Sequence, residues 1–317
     1  MSRATDRQRV LGSQAAARPR SHRYTVWRWA AALVCTLLVA LLPLTGLLRF
    51  DLWGGRHLVG GEEHDLVSAA RAFAFPFLAI NVVILLVTRF LGRYLCGFGC
   101  PVGALARAGD WLRYRTGRAT GTRAARLGLA AACLLLSAVC FSFWVDWRVF
   151  AAGSPAARGV AAAALLGVAA ALYLGALRLG LRFCRDYCPS GVYFGLLGHD
   201  SRAGVELAHP EACIGCDACD KACPMDLPPR ELLDGAATVP GRGIYPDGLT
   251  RLATCIRCGD CVQVCEGVTR RLGEETPLQL GLLPAAHDAG RDEQPDGAAA
   301  PVPTPLPHRG PGGDGRA

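Results

Sequence analysis

Lysine is nearly missing: of the 34 basic side chains in 317 residues, only Lys221 is a lysine. A bias this strong toward arginine reflects base composition and carries no chemistry of its own. Charge of either sign is scarce at 19%, 51% of residues are hydrophobic, and mean hydropathy is +0.26. These values exclude a disordered or collagen-like chain and indicate a protein partly solvated by lipid. No Gly-x-Gly-x-x-Gly follows a strand, so the turn that binds nicotinamide and flavin dinucleotides is absent. What the chain has in quantity is cysteine. Eleven of its fifteen cysteines fall after position 139, and eight lie in two tight runs. A small disulfide-stapled domain would not cluster them in this way.

Four apolar stretches, Trp29–Leu48, Phe73–Phe90, Leu127–Val145 and Val160–Leu177, approach the ~20 residues that a spanning helix needs. Helices buried in a soluble bundle keep a polar stripe; these do not, and Gly128 to Val145 carries no charge at all. The basic lead-in (Arg18, Arg20, Arg23, Arg28) suits a signal peptide. The apolar core, however, runs past Pro43 without a small-residue cleavage site, so the first stretch is expected to remain a helix. Seven arginines and only Asp6 precede it, and eight arginines and only Asp110 lie between Arg89 and Arg126. The stretch from Arg49 to Arg71 sets Asp51, Glu62, Glu63 and Asp65 against three arginines. The positive-inside rule then places both termini and the middle loop in the cytoplasm of a bacterial inner membrane. The net charge of +8 is a topology signal, and the expected partner is membrane lipid, with no nucleic acid.

The two helix pairs end alike. Arg93-Tyr-Leu-Cys96-Gly-Phe-Gly-Cys100-Pro101-Val-Gly103 follows the second stretch, and Arg182-Phe-Cys184-Arg-Asp-Tyr-Cys188-Pro189-Ser-Gly191 follows the fourth. Both read C-x3-C-P-x-G, 88 positions apart. Asp51-Leu-Trp53 and Asp146-Trp147 echo each other at the far ends, so two repeated hairpins are expected. Cysteines four apart share one face of a helical turn, and proline just after suits a helix start. Cys96, Cys100, Cys184 and Cys188 could converge on one additional metal site, act as two redox dithiols, or be structural. Cys35, Cys133 and Cys140, within apolar helices, read as small buried hydrophobes. Trp53 and Trp147 read as interfacial anchors. His57 and His64, beside Glu62 and Glu63, offer a proton-accepting group in the outer loop.

From His209 the composition changes. Cys213-Ile-Gly-Cys216-Asp-Ala-Cys219-Asp-Lys-Ala-Cys223-Pro224 is C-x2-C-x2-C-x3-C-P, and Cys255-Ile-Arg-Cys258-Gly-Asp-Cys261-Val-Gln-Val-Cys265 repeats the spacing with Glu266 in place of proline. Three thiolates of such a loop wrap three corners of a cubane, and the fourth cysteine serves the other cluster. One [4Fe–4S] centre is therefore expected on Cys213, Cys216, Cys219 and Cys265, and a second on Cys255, Cys258, Cys261 and Cys223. Zinc prefers two separated Cys pairs, and cytosolic thiols do not form disulfides. The insert from Pro224 to Thr254, with turns at Pro228-Pro229 and Pro240–Gly243, has no assigned role. After Leu283 the Pro, Gly, Ala and Asp content predicts disorder.

The expected organisation is a basic N-terminal segment (1–28), a four-helix transmembrane domain (29–203), an α+β two-cluster ferredoxin-like domain (204–275) and a disordered tail (276–317). The protein as a whole is expected to be mainly α and membrane-bound. A membrane part carrying Cys96/Cys100 and Cys184/Cys188 ahead of a two-cluster ferredoxin resembles the NapH/MauN family of ferredoxin-type membrane proteins, of periplasmic nitrate reduction and methylamine utilisation. The resemblance runs roughly from Ser21 to Arg271. It implies membrane electron transfer, with quinol as a donor in the nitrate branch and a redox partner that is another ferredoxin-type subunit or a periplasmic enzyme system. The nitrate branch usually has Asn-Pro soon after its first C-x3-C-P, where this chain has Pro101-Val-Gly-Ala-Leu, and this tilts the resemblance toward methylamine utilisation. An electron-transfer subunit is thus expected rather than a stand-alone enzyme. The alternative is a redox maturation factor that assembles or reduces a partner's cofactor, as related membrane ferredoxins with C-x3-C-P do for copper oxidases. A transporter would need polar or broken helices at mid-membrane, and only Pro43 and Pro76 offer breaks.

Overall fold

A computed structural model describes residues 23–115, 122–198, 201, 203–229, 238–239, 241, 243–246 and 248–282. The chain divides into Met1–Pro284 and Ala285–Ala317, and the described residues all fall in the first unit. The segment before Arg23 and the Pro-rich stretch after Leu282 lie outside the described residues.

The membrane half runs α1 (Arg23–Leu44), a three-stranded sheet of β1 (Leu48–Phe50), β2 (His57–Val59) and β3 (Glu62–His64), then α2 (Leu66–Leu91), α3 (Tyr94–Phe98), α4 (Pro101–Arg115), α5 (Thr122–Ser142), α6 (Arg148–Ala152) and α7 (Pro155–Arg178). By length and composition, the four helices α1, α2, α5 and α7 can each cross a membrane. All four begin five to seven residues before the apolar runs that announce them. Local caps explain two of these starts. The Asp65 carboxylate accepts the Val67 N–H at 3.1 Å ahead of α2, and the Ser154 hydroxyl accepts the Ala157 N–H at 3.2 Å ahead of α7; both satisfy amides that the first turn leaves unpaired. Gly92 ends α2 with φ +54°, a conformation cheap only for glycine.

The helices do not form a plain bundle of four. α5 packs on α7, α4 wedges against both, and α1 leans on α4 and α5. Leu105 and Leu112 of α4 share a core with Leu129, Cys133, Leu136 and Ala176. The segment after the first C-x3-C-P, read from sequence as loop, thus supplies the fourth packing helix. α2 packs mainly on the β2–β3 hairpin and on elements of the other half, and its apolar window has no buried residue. Lipid therefore takes the place of protein packing around α2.

At the opposite end the acidic loop is an antiparallel sheet with Phe50 opposite His57 and His57 opposite His64. It is stitched to the second hairpin by Phe50 N–H donating to the Phe143 carbonyl at 2.7 Å and by an Arg49–Asp146 ion pair at 3.0 Å. Asp51 and Asp146 each accept the amide two residues on, at 3.1 and 2.9 Å. Trp53 is exposed, as an interfacial anchor should be, and Trp147 is half-exposed with its indole N–H on Ser142 at 2.8 Å.

The second half follows α8 (Pro189–Leu197). It comprises β4 (Ala203–Leu207), α9 (Ala218–Ala222), a two-residue pair β5 (Thr238–Val239) and β6 (Leu249–Thr250), α10 (Arg251–Thr254), α11 (Asp260–Leu272) and β7 (Leu278–Leu282). α9 packs on α11, and β4 pairs antiparallel with β7 from Ala203↔Leu282 to Leu207↔Leu278. The stretch 276–282 was expected to belong to an unstructured tail. Instead Leu278 and Leu280 pack in the core with Val205 and Leu207, because alternating apolar residues need a partner strand, and β4 supplies one from 71 or more residues away. Tyr24 of α1 and Phe98 of α3 belong to this same core, so the two halves share one hydrophobic interior.

Candidate functional site

The two cysteine loops have one backbone. In the first, φ is positive at Gly215 (+66°) and Asp217 (+55°); in the second, at Arg257 (+55°) and Gly259 (+75°). These are the second and fourth positions after the leading cysteine in each. The left-handed conformation costs a non-glycine residue roughly 1–2 kcal/mol, and each loop places glycine at only one of its two such positions. A helix then carries the third cysteine away, Cys219 on α9 and Cys261 on α11.

The thiols group as their spacing suggests. Cys213, Cys216, Cys219 and Cys265 line one small pocket, with Ile214, Val268 and Leu278. Cys223 lies within electrostatic range of Cys255, and Cys261 within range of Cys223, Cys255 and Cys258. Burial pushes the Cys258 thiol up to about 12, and the Cys223 and Cys265 thiols up to about 11. Such thiols need a bound metal centre to ionise them. Backbone amides are already in place to support that charge: Met225 and Leu227 at Cys223, Leu278 at Cys265, and Arg257 N–H at 3.4 Å from Cys255 Sγ. Among the described residues no three Cys, His, Asp or Glu side chains close on a point as a single ion requires. Four sulfurs each about 2.3 Å from one zinc would make such a knot. The grouping of four thiols from both loops at each place fits an iron–sulfur cubane.

The two C-x3-C-P motifs also meet. Each of Cys96, Cys100, Cys184 and Cys188 lies within electrostatic range of the other three. Burial raises Cys96 and Cys100 above the ordinary thiol value and pushes Cys184 up to about 12. Cys100 and Cys188 each directly precede a helix whose first residue is proline, α4 and α8, a position that favours negative charge. The glycine of C-P-x-G has a packing reason in both copies. A Cβ at Gly103 would press on the Cys96 carbonyl, and one at Gly191 would strike the Tyr245 hydroxyl and the Arg93 guanidinium. Arg93, 1% exposed, ties the motifs together. It donates to the Cys184 carbonyl at 3.3 Å, to Tyr245 Oη at 3.1 Å and to the Thr254 carbonyl, just before Cys255, at 3.0 Å.

This four-thiol cluster abuts the second cysteine loop. Gly97, between Cys96 and Cys100, lies so close that a Cβ there would strike the Ile256 carbonyl and crowd the Cys258 backbone. Arg257, 0% exposed, runs from that loop to the end of α2, where it fills the space beside Gly92 and donates to Ser201 Oγ and the Ala203 carbonyl. A cavity of about 480 Å³ with almost wholly apolar walls lies along α1 and α5 and reaches Pro101, the residue after Cys100.

Of the other cysteines, Cys133 is buried in the α4–α5–α7 core, but Cys140 is exposed on the lipid side and Cys35 is only half-buried. Cys35 is also near the motif: a Cβ on Gly99 would come within 3.1 Å of its Sγ, a proximity that its place in an apolar run gave no sign of. His57 is buried with an unpartnered Nδ1, while His64, Glu62 and Glu63 stay at the surface or half-exposed. Arg28, Arg107 and Arg257 line the candidate site without having been marked out by spacing, since loop charge counts treat every arginine alike.

Apolar helices that can span a membrane and paired cysteine loops shaped for cubanes define a ferredoxin-type iron–sulfur membrane protein. Residues 212–269 match the family described as 4Fe-4S dicluster domain. The chain is 32% identical over 139 residues to the methylamine utilization ferredoxin-type protein MauN of Paracoccus denitrificans, covering 42% of this chain and 48% of that one. It is 30% identical over 165 residues to MauN of Methylorubrum extorquens, covering 50% and 57%. It is 25% identical over 248 residues to the ferredoxin-type protein NapH of Haemophilus influenzae, covering 76% and 79%. The chain is therefore a homologue of the MauN and NapH ferredoxin-type proteins, although it spans only about half the length of the MauN relatives. No solved structure matches it.

Proposed function

We propose that the chain is a membrane-bound electron-transfer protein that passes electrons between the quinone pool and a redox partner of a methylamine-utilisation or periplasmic nitrate-reduction system. In this reading both termini face the cytoplasm. Cys255, Cys258, Cys261 and Cys223 hold one [4Fe–4S] centre, and Cys213, Cys216, Cys219 and Cys265 hold the other. When bound, such a centre takes up and gives back single electrons. The protein's own contribution is to hold the thiolates, aim backbone N–H groups at the sulfurs and keep water out. The observation that carries the reading is the seating of Gly97 against Ile256–Cys258. It puts the C-x3-C-P thiols directly beside the second loop, and Pro101 puts the apolar cavity beside those thiols. Cavity, four-thiol redox site, second loop and first loop thus form an unbroken series of contacts from lipid to ferredoxin surface. The cavity is of the size and polarity that suit a quinone ring or its isoprenoid tail.

The test is anaerobic. Full-length protein in detergent is mixed with a reduced quinol while cluster absorbance and EPR are followed. Rapid reduction that is lost in Cys96→Ser/Cys184→Ser is the expected result, and fully loaded centres that ignore quinol would contradict the donor assignment. The convergence of four thiols that no ferredoxin loop uses also favours a second reading, a maturation factor working by thiol exchange or soft-metal binding. In cells, the same double variant then leaves the partner enzyme present but lacking its cofactor. A conduit variant leaves that enzyme mature but without electrons.

A further inference from the structure

Two arginines and one aspartate make a partly buried knot beside Cys258. Arg28, near the start of α1, is 6% exposed. Its Nη1 donates to Asp260 Oδ1 at 2.7 Å and to the Cys258 carbonyl, and its Nη2 donates to Thr25 Oγ1 at 3.1 Å. Arg107, on α4, donates to the other carboxylate oxygen, Asp260 Oδ2. That oxygen stands 3.4 Å from Cys258 Sγ. Both guanidiniums come from the membrane half, and the carboxylate comes from the first turn of α11. One carboxylate cannot neutralise two guanidiniums, which stay protonated at any working pH, so the knot is net positive. The first cysteine loop is built otherwise: where the second has Arg257 and Asp260, it has Gly215 and Ala218.

Adding an electron to an iron–sulfur centre adds negative charge, and in a low-dielectric interior a nearby cation favours that state. We propose that Arg28 and Arg107 raise the reduction potential of the centre held by Cys255, Cys258, Cys261 and Cys223, so that the membrane half tunes the cluster it docks against. The inference rests on the ligand assignment made above. Asp260 opposes the two arginines electrostatically while fixing where they sit. The ferredoxin half, seated on α1 and α4, thereby has one centre biased to accept electrons from the membrane side.

The experiment is an EPR-monitored redox titration of the full-length protein in detergent, with the second-loop signal identified as the one lost in Cys261→Ser. Near its midpoint, Arg107→Gln is expected to lower the reduced-to-oxidised ratio of that signal about tenfold, which for one electron is about 59 mV. Arg28→Gln is expected to act in the same direction. Asp260→Asn should move the ratio the opposite way, and Arg107→Lys should return it close to wild type. The signal lost in Cys213→Ser should stay in place throughout. If the knot were only a clamp, charge loss on either side would loosen the loop alike. Shifts of the same sign in Arg107→Gln and Asp260→Asn, or no shift in either, would overturn the proposal. A variant that fails to load leaves the others to decide, since each has its own predicted sign. If Cys261→Ser removes no signal from a protein that holds iron, the ligand assignment itself falls and takes the proposal with it. If that signal is present but unmoved by charge, only the tuning is refuted.

Discussion

The two cysteine loops share spacing, backbone dihedrals and a following helix, yet they sit in different surroundings. In the second loop Cys255, Cys258 and Cys261 are each 7% exposed, enclosed by Gly97, Phe98, Arg28 and Arg107 from the membrane half. In the first, Cys213 and Cys216 are only half-buried and the neighbouring residues are acidic, with Glu211, Asp217 and Asp220 close in sequence. One motif has thus been placed in two electrostatic settings. The motif determines what is held, and the setting differs from one loop to the other.

The largest effect expected from breaking this comparison comes from the ligands themselves. Cys261→Ser and Cys213→Ser should each remove about four irons per chain and one EPR signal. A Cys96→Ser/Cys184→Ser variant decides the status of the C-x3-C-P site by the same iron count. A further loss of about four irons identifies a third cluster, and an unchanged count excludes one. Next comes Gly97→Val, whose side chain has no room before the Ile256 carbonyl. Overpacking of this kind costs about 1–3 kcal/mol or more, and the second-loop signal should broaden or vanish while the first survives.

Removing Arg93 should be nearly as costly. Arg93→Ala removes a donor from the Cys184 and Thr254 carbonyls and from the Tyr245 hydroxyl; Tyr245 still donates to the Cys184 carbonyl at 2.7 Å, and each buried hydrogen bond lost costs about 0.5–1.5 kcal/mol. A fall in thermal midpoint, read by tryptophan fluorescence in detergent, checks it. The smallest effect belongs to Trp147→Phe. It gives up the 2.8 Å bond to Ser142 at the outer end, a loss of about 1 kcal/mol, and should leave both EPR signals untouched.

How much of this was legible in the sequence follows from the range of the interactions. The cubane loops and the spanning helices are local patterns, a spacing of two and three or a run of twenty, and they appear where the residues predict them. The sheet of β1–β3 was hidden because its strands are three residues each, too short to show alternation. β7 was hidden because its partner β4 lies at the opposite end of the ferredoxin half. Arg28 and Arg107 meet Asp260 across 232 and 153 positions, and in a chain with almost no lysine nothing marks two arginines out from the rest. Cys35 shows the same limit: its neighbour Cys100 lies 65 positions on, just ahead of α4.

On the function proposed above, electrons are expected to enter at the second loop and leave from the first. Rapid mixing of quinol with Cys213→Ser and with Cys261→Ser, frozen at intervals for EPR, tests it most directly. In Cys213→Ser the remaining centre is expected to be reduced by quinol at the wild-type rate, whereas the remaining centre of Cys261→Ser stays oxidised. Equal reduction of the surviving centre in both variants, or the reverse order, would contradict it.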